Sequence, residues 1–250
     1  DLHLSIRRQR QMCIRDRYCS MPSELSISKI SAQKDSTLTW KHYTRGGFAK
    51  TDSSIGGFGY YRINRQTDKT FRDLRVFSYS LKNDSFIYIR YKTSDKYSTR
   101  PCFYRYTTSS YRKNTRANVA LQYHFNQGFG YFIRDYNKGL INVELGHAFD
   151  ISDYLNATRK TSYIKSGLFW DHDTKWFSTK IEAENFQQIS EVVENNLSRN
   201  QFLFEMIIPL KNNFSININY ELEDYHIKNQ IDASSTTIAI GWKGNLSWNL

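Results

Sequence analysis

The 250-residue sequence predicts an all-β protein, an antiparallel transmembrane β-barrel of about twelve strands. Three observations predict it. Many segments alternate apolar with polar residues, no run of about 18 apolar residues could form a membrane-spanning helix, and aromatic residues make up 16% of the chain. Aromatic residues favour strands, and the strands of a membrane barrel are apolar on one face only.

The longest alternating segment runs from Asn118 to Arg134. Its odd positions, such as Phe125 and Phe129, are mostly apolar, whereas its even positions, such as Asn126 and Gly128, are mostly polar or small. An ordinary globular strand has about five or six residues. This length therefore fits a tilted strand that crosses a bilayer, with its apolar face toward lipid and its polar face toward the lumen.

The same alternation recurs at 141–149, 163–170, 176–184 and 215–223. Charged residues of both signs occupy polar positions of these segments, so they are expected to point into the barrel. The predicted lumen-lining residues are Arg134, Glu144, Lys165, Lys180, Glu182, Glu184, Glu221 and Glu223.

Short and long connections are predicted to alternate between these later strands, as tight periplasmic turns and longer outer loops do in outer-membrane barrels. A Greek-key sandwich has no reason to produce that asymmetry. The predicted short turns are Asp135–Lys138, Asp171–Thr174 and Lys211–Asn213, and the predicted longer loops are Asp150–Arg159, Gln187–Asn200 and His226–Ser234.

The N-terminal half predicts five further strands, at about Thr37–Thr44, Ile55–Asn64, Phe71–Leu81, Phe86–Thr93 and Cys102–Arg112. The third of these places Arg75 on the same face as Phe77 and Tyr79. We therefore predict a β-bulge or a shifted boundary there.

The predicted organisation is a non-native segment at 1–20, a lead-in at 21–36, the barrel at 37–243 and an uncertain tail at 244–250. The first segment has no apolar stretch like that of a signal peptide, and its QMCIRDR core resembles translated sequencing-adapter read-through. A natural basic tail is the alternative interpretation.

From about Thr37 to Lys243 the chain resembles the salt-induced outer-membrane proteins, a YdiY-like family of uncharacterised bacterial barrels. The segments that carry the likeness are SSYRKN (109–114), LQYHFNQGFGYFI (121–133), INVELGHAFD (141–150), RKTSY (159–163) and IAIGWK (238–243). The resemblance implies an outer-membrane location and no active site. Members usually end in an aromatic residue directly after the last strand, where the barrel assembly machinery reads its signal. Here Gly244 follows, so either Trp248 takes that role or the end is not native.

The residues that could suggest catalysis also have simpler interpretations. The paired carboxylates at Glu182 and Glu184 share a strand face, so they are expected to line the lumen rather than work as acid and base. His147 and a serine on the next strand, Ser162 or Ser166, would suit a lipid-facing hydrolase. No third catalytic partner or oxyanion donor can be identified from the sequence.

The formal net charge of +11 and the basic, aromatic segment YYRINR (60–65) raise the possibility of nucleic-acid binding. No nucleic-acid motif accompanies them, and contacts with outer-leaflet phosphates or an aromatic girdle explain the same residues.

The predicted function is that of an integral bacterial outer-membrane protein, either a narrow channel for small hydrophilic solutes or a stress-related envelope protein. No enzyme activity, cofactor or metal is predicted. The expected partners are outer-membrane lipid, lipopolysaccharide and the barrel assembly machinery, and the oligomeric state is left open. Two alternatives are kept: a lipid-facing hydrolase and a soluble lipocalin-like binder.

Overall fold

The alternating segments form twelve antiparallel strands, and the first strand pairs with the last to close a barrel. The computed structural model describes residues 39–51, 55–67, 69–80, 85–114, 119–154, 157–190, 197–226 and 233–247. Every strand pairs with its neighbours in sequence, so both ends of the barrel sequence lie at one rim. The strands are β1 (Thr39–Thr51), β2 (Ile55–Gln66), β3 (Thr70–Ser80), β4 (Ser85–Lys96), β5 (Phe103–Asn114), β6 (Val119–Tyr136), β7 (Gly139–Tyr154), β8 (Ala157–Asp173), β9 (Ser178–Gln188), β10 (Arg199–Pro209), β11 (Phe214–Tyr225) and β12 (Ala233–Ser247).

The predicted fold class and strand number are confirmed, but most strands extend further than predicted, the first and the last among them. The first runs to Thr51 rather than Thr44, and the last runs to Ser247 rather than ending at Lys243. Part of the predicted tail therefore belongs to the barrel, where Ser247 pairs with Thr39. The predicted segments 1–20 and 21–36, and Trp248, lie outside the described residues.

The predicted alternation of short and long connections is only partly correct. The predicted loop Asp150–Arg159 is mostly strand, because β7 continues to Tyr154 and β8 begins at Ala157. Only 189–198 and 226–232, the last two connections at the rim opposite the chain ends, are longer than the turns at the other rim. The rim that holds the start of β1 and the end of β12 is called the terminal rim below, and the other is called the loop rim.

Irregular pairing occurs in β6, not in β3. The register shifts between Val119 and Leu121 and again between Phe132 and Arg134, whereas β3 pairs with both neighbours without interruption. Of the two predicted alternatives for Phe71–Leu81, the bulge is therefore wrong, and the strand boundaries lie one residue earlier than predicted, at Thr70 and Ser80. Arg75, Phe77 and Tyr79 do share one face, and that face points into the lumen beside the buried Asp73.

The turn between β10 and β11 shows how local sequence sets a tight connection. Lys211–Asn213 form one 3-10 turn, and Asn212 and Asn213 have φ angles of 56° and 64°. Asparagine tolerates this left-handed region better than most residues with a side chain. Within the described part of the chain, no helix has the length and apolar character needed to cross a membrane.

Candidate functional site

The candidate functional site is the barrel lumen, and the structure places seven of the eight predicted residues on its wall. Buried residues alternate with exposed ones most clearly on β8, where Lys165 is buried between the exposed Ile164 and Ser166. In a closed barrel one face of each strand must point inward. The predicted residues on this inward face are Glu144, Lys165, Lys180, Glu182, Glu184, Glu221 and Glu223.

Arg134 is the exception, and the prediction that it lines the lumen is wrong. The bulge at Ile133 inserts one residue into β6, so Phe132 pairs with Asn142 but Arg134 pairs with Ile141. An extra residue reverses the face of everything beyond it. Arg134 consequently lies on the outer surface, where its guanidinium carbon is 5.8 Å from the ring centre of Tyr136.

A charge cluster fills the middle of the lumen around Lys165, which is 2% exposed. Its Nζ lies 2.8 Å from Glu144 and 2.6 Å from Glu184. Glu144 also accepts a hydrogen bond of 2.6 Å from Lys92, which reaches it from β4. Buried charges are costly unless they are paired, so this sharing of carboxylates accounts for the burial of the lysine.

A second charge network crosses the lumen nearer the loop rim. Arg112 on β5 lies 3.2 Å from Glu223 on β11, and five strands separate β5 from β11 in either direction around the barrel. This ion pair therefore connects opposite walls. Arg199 joins Glu223, at 3.1 Å, to Asp150, at 3.4 Å. His124 contacts the same Asp150 carboxylate from the neighbouring strand.

Glu221 shows that the lumen also holds open space. It lies on the inward face of β11, two residues from Glu223, yet its side chain is exposed. It makes no ion pair with any residue in the described ranges. An unpaired carboxylate inside a barrel is tolerated when water reaches it.

The inward face of β2, β3 and β4 was not predicted from the sequence. Three in-register rows of inward-facing side chains cross these strands. Two rows are aromatic and are called the aromatic panel, and the third is called the arginine row. The panel is Phe58–Tyr79–Phe86 and Tyr60–Phe77–Tyr88, and the arginine row is Arg62–Arg75–Arg90.

A repeated sequence pattern could have revealed these rows. The inward positions read Phe58, Tyr60, Arg62 on β2 and Phe86, Tyr88, Arg90 on β4, while β3, which runs the other way, reads Arg75, Phe77, Tyr79. The segment YYRINR is therefore divided between the two faces of β2. Aromatic side chains can line a lumen as well as meet lipid, and hydrophobicity alone does not tell these locations apart.

The proposed hydrolase residues lie on the outer surface but do not form a catalytic arrangement. His147 pairs in register with Ile164, so Ser162 and Ser166 are its diagonal neighbours on β8. No hydrogen bond involving the His147 side chain is present among the described residues. The described residues also contain no cluster of three or more His, Cys, Asp or Glu residues that could hold a metal ion.

The exterior of the barrel is strongly apolar. Phe48, Phe129, Leu145 and Ile240 are each more than 60% exposed on the outward face. Near the terminal rim this surface becomes aromatic, and Trp170 Nε1 donates a hydrogen bond of 2.8 Å to the Tyr136 hydroxyl there. Large exposed apolar surfaces are rare on soluble monomers, whereas an apolar band flanked by aromatic girdles is typical of membrane barrels.

The closed barrel has counterparts among solved structures. The NanC porin aligns with a TM-score of 0.56 and 7% identity, over 80% of this chain and 98% of that one. The COG4313 outer-membrane channel of Pseudomonas putida F1 aligns with a TM-score of 0.52 and 7% identity, over 88% of this chain and all of that one. No protein-family description matches the sequence, and neither does any curated protein. The chain thus shares the fold of outer-membrane porins and channels.

Proposed function

We propose that this chain is an integral protein of the bacterial outer membrane whose lumen is a narrow passage for small hydrophilic solutes. The observation that carries the proposal is the distribution of polarity in a closed barrel. Charged residues such as Lys165 and Glu144 are buried inside, while residues such as Leu145 and Phe129 are exposed outside. This distribution suits lipid outside and water inside.

The passage is narrow because side chains of opposite walls meet within it. The Arg112–Glu223 pair connects opposite strands, and Arg45 of β1 reaches Glu205 of β10. Both signs of charge line the path, so small ions and neutral polar solutes of modest size are the expected cargo. The exposed Glu221 supports a water-filled space between these pairs.

Two measurements on the full chain test the proposal. Folded, unboiled protein from the envelope fraction is expected to migrate differently from boiled protein on a gel, because a closed barrel resists detergent. The same protein, reconstituted in planar bilayers, is expected to give small, stepwise conductance. A soluble band that does not shift on boiling would contradict the membrane location, and the absence of conductance at every voltage would contradict the channel. Boiled protein in the same detergent is the control.

The two alternatives fit these residues less well. A lipocalin-like binder needs an apolar interior, but the described inward face carries Asp73, Lys165 and Asn217, each nearly inaccessible to solvent. A lipid-facing hydrolase needs His147 to be held by hydrogen bonds to its partners, and no such bond is present in the described ranges. We therefore propose a non-enzymatic role.

We further propose that the chain is a YdiY-like barrel, on the sequence segments quoted above, and that its amount in the envelope rises with external salt. Lipopolysaccharide and the barrel assembly machinery are the proposed partners, the latter through β12. Quantifying the protein in envelopes of its host before and after a NaCl shift tests salt induction, because an unchanged amount would contradict it. Crosslinking of β12 to assembly components during folding tests the proposed contact with the assembly machinery.

A further inference from the structure

The aromatic panel and the arginine row defined above occupy one patch of the lumen wall. Register places the panel toward the loop rim and the row next to it toward the middle of the barrel. On β4, for example, Tyr88 and Arg90 are two residues apart on the same face, so their side chains are neighbours. The patch therefore joins flat apolar surface to positive charge.

The rings of the panel contact one another but are not sealed from the lumen. Tyr79 and Phe86 are stacked with centroids 5.0 Å apart, and Phe77 meets Phe86 edge-on at 5.7 Å. Five of the six rings are only half-buried, although all six point inward. Their remaining exposed surface faces the space that a passing solute would cross. Aromatic rings bury large apolar areas and favour stacked or edge-on contact with another ring.

Charge in the arginine row is only partly balanced. Asp73 is fully buried and pairs with both Arg62 and Arg75. Arg90 makes no ion pair with any described residue, and its buried Nε has no hydrogen-bond partner. Like charges directly opposite each other on a sheet are destabilising, so three aligned arginines need more negative charge than one aspartate supplies.

The nearby carboxylates of the opposite wall already have partners of their own. Glu182 and Glu184 are within electrostatic range of Arg90. Glu182 pairs with Lys180, and Glu184 lies 2.6 Å from Lys165. At the sides of the patch, Arg45 pairs with Glu205 and Arg112 pairs with Glu223. Arg90 is thus the cation of this patch that is left to bind an anion from solution.

We infer that this patch is a binding site for a small solute that carries a carboxylate on a flat ring. Tyr79 stacks on Phe86 and Arg112 lies over the same ring at 5.6 Å, so the ring of the solute would pack against the exposed edge of Phe86 and against Tyr88. The carboxylate would accept hydrogen bonds from the Arg90 guanidinium. Arginine presents a planar fork of donors that matches a carboxylate. A solute with only a ring would contact only the aromatic panel, and a solute with only a carboxylate would contact only Arg90.

The inference rests on the proposed channel for its physiological meaning, but it is tested by binding, which does not require conductance. Isothermal titration of the full-length folded protein in detergent uses benzoate as probe, with acetate and benzyl alcohol as comparisons. Benzoate is expected to bind with one site per chain. Acetate, which lacks the ring, and benzyl alcohol, which lacks the charge, are expected to bind about tenfold more weakly, the effect of losing one charge-assisted or aromatic contact. Empty micelles correct for partitioning.

Two variants divide the site into its parts. Arg90→Gln is expected to weaken benzoate about tenfold and to remove the preference for benzoate over benzyl alcohol. Phe86→Ala is expected to weaken benzoate while leaving acetate unchanged. The matched controls are Arg72→Gln and Tyr91→Ala, which remove an arginine and an aromatic side chain on the outward faces of β3 and β4. If Arg90→Gln fails to fold, Arg90→Lys replaces it. This variant keeps the positive charge but loses the planar pair of hydrogen-bond donors.

The outcomes separate this site from the channel itself. Absence of benzoate binding, or binding that neither Arg90→Gln nor Phe86→Ala weakens, would overturn the site whatever the conductance. Benzoate binding by a barrel that conducts no ions would support the site and contradict the channel. Equal loss in the outward controls would show a detergent or folding effect and would also overturn the inference.

Discussion

The β2–β4 wall and the β7–β11 wall of the lumen carry opposite charge and balance it differently. On the first wall, Asp73 alone serves the three cations of the arginine row and leaves Arg90 without an ion pair among the described residues. On the second wall, cations are interspersed among the acids, as Lys165 is between Glu144 and Glu184. The acidic wall therefore holds cations of its own between its carboxylates, whereas the three arginines of the basic wall share one carboxylate of their own wall.

Ion pairs form across the lumen where the two charge types face each other. Lys92 reaches Glu144 from three strands away, and Arg112 reaches Glu223 from the opposite strand. Each of these pairs narrows the passage while it relieves the excess charge of one wall. Breaking them one at a time should therefore separate effects on stability from effects on conduction.

The largest effect is expected from Asp73→Asn, which removes the acid that balances the arginine row. Asp73 is 0% exposed and contacts Arg62 and Arg75. Removing one member of a buried charge group costs about 3–5 kcal/mol, because the remaining charges stay buried without compensation. Urea unfolding in detergent, followed by the shift between folded and unfolded bands on a gel, measures the loss.

Asp95→Asn is the matched control for Asp73→Asn. Asp95 pairs with Arg72 at 2.8 Å, but both side chains are about one quarter exposed on the outer face of β3 and β4. Such pairs contribute about 0–1 kcal/mol. Equal losses of unfolding free energy in the two variants would show that Asp73 does not stabilise the arginine row.

The fold was predictable from the sequence because alternation and length are local features. The acidic wall was predictable for the same reason: Glu182 and Glu184 stand two residues apart in a clean alternating strand. The basic wall was not, because Phe77 and Tyr79 share the face of Arg75, and an apolar ring gives no sign of whether it meets lipid or lumen. The cross-lumen pairs depend on which strands lie opposite each other, which only barrel closure determines.

An intermediate effect is expected from Glu223→Gln, which weakens the pair between opposite walls. Glu223 holds both Arg112 and Arg199, and hydrogen bonds to charged groups contribute about 1.5–3 kcal/mol. With Arg112 released, single-channel conductance should rise and anions should pass more easily. Asp224→Asn, the neighbouring acid on the outward face, is the control. Unchanged conductance in Glu223→Gln would mean that this pair does not limit the passage.

Smaller effects of opposite sign are expected from two lumen charges that have no ion pair among the described residues, Arg90 and Glu221. Arg90→Gln removes the excess cation of the basic wall, and Glu221→Gln removes the exposed acid of the other. Neither substitution breaks an ion pair of the described residues, so stability should change little. Reversal potentials in a KCl gradient should move toward cation selectivity in Arg90→Gln and toward anion selectivity in Glu221→Gln. Shifts of the same sign would contradict the two-wall arrangement.

The smallest effect is expected from Arg134→Gln, which tests the bulge that places this residue on the outer surface rather than in the lumen. On the outer surface its contact with the Tyr136 ring contributes about 0.5–1 kcal/mol, and its charge is separated from the lumen by the barrel wall. Ion selectivity should therefore equal that of the unaltered protein, measured by the same reversal potentials. A shift like that of Arg90→Gln would instead mean that β6 alternates without interruption through Ile133 and that Arg134 points inward. The bulge therefore decides whether the arginine at the end of β6 belongs to the channel or to the membrane surface.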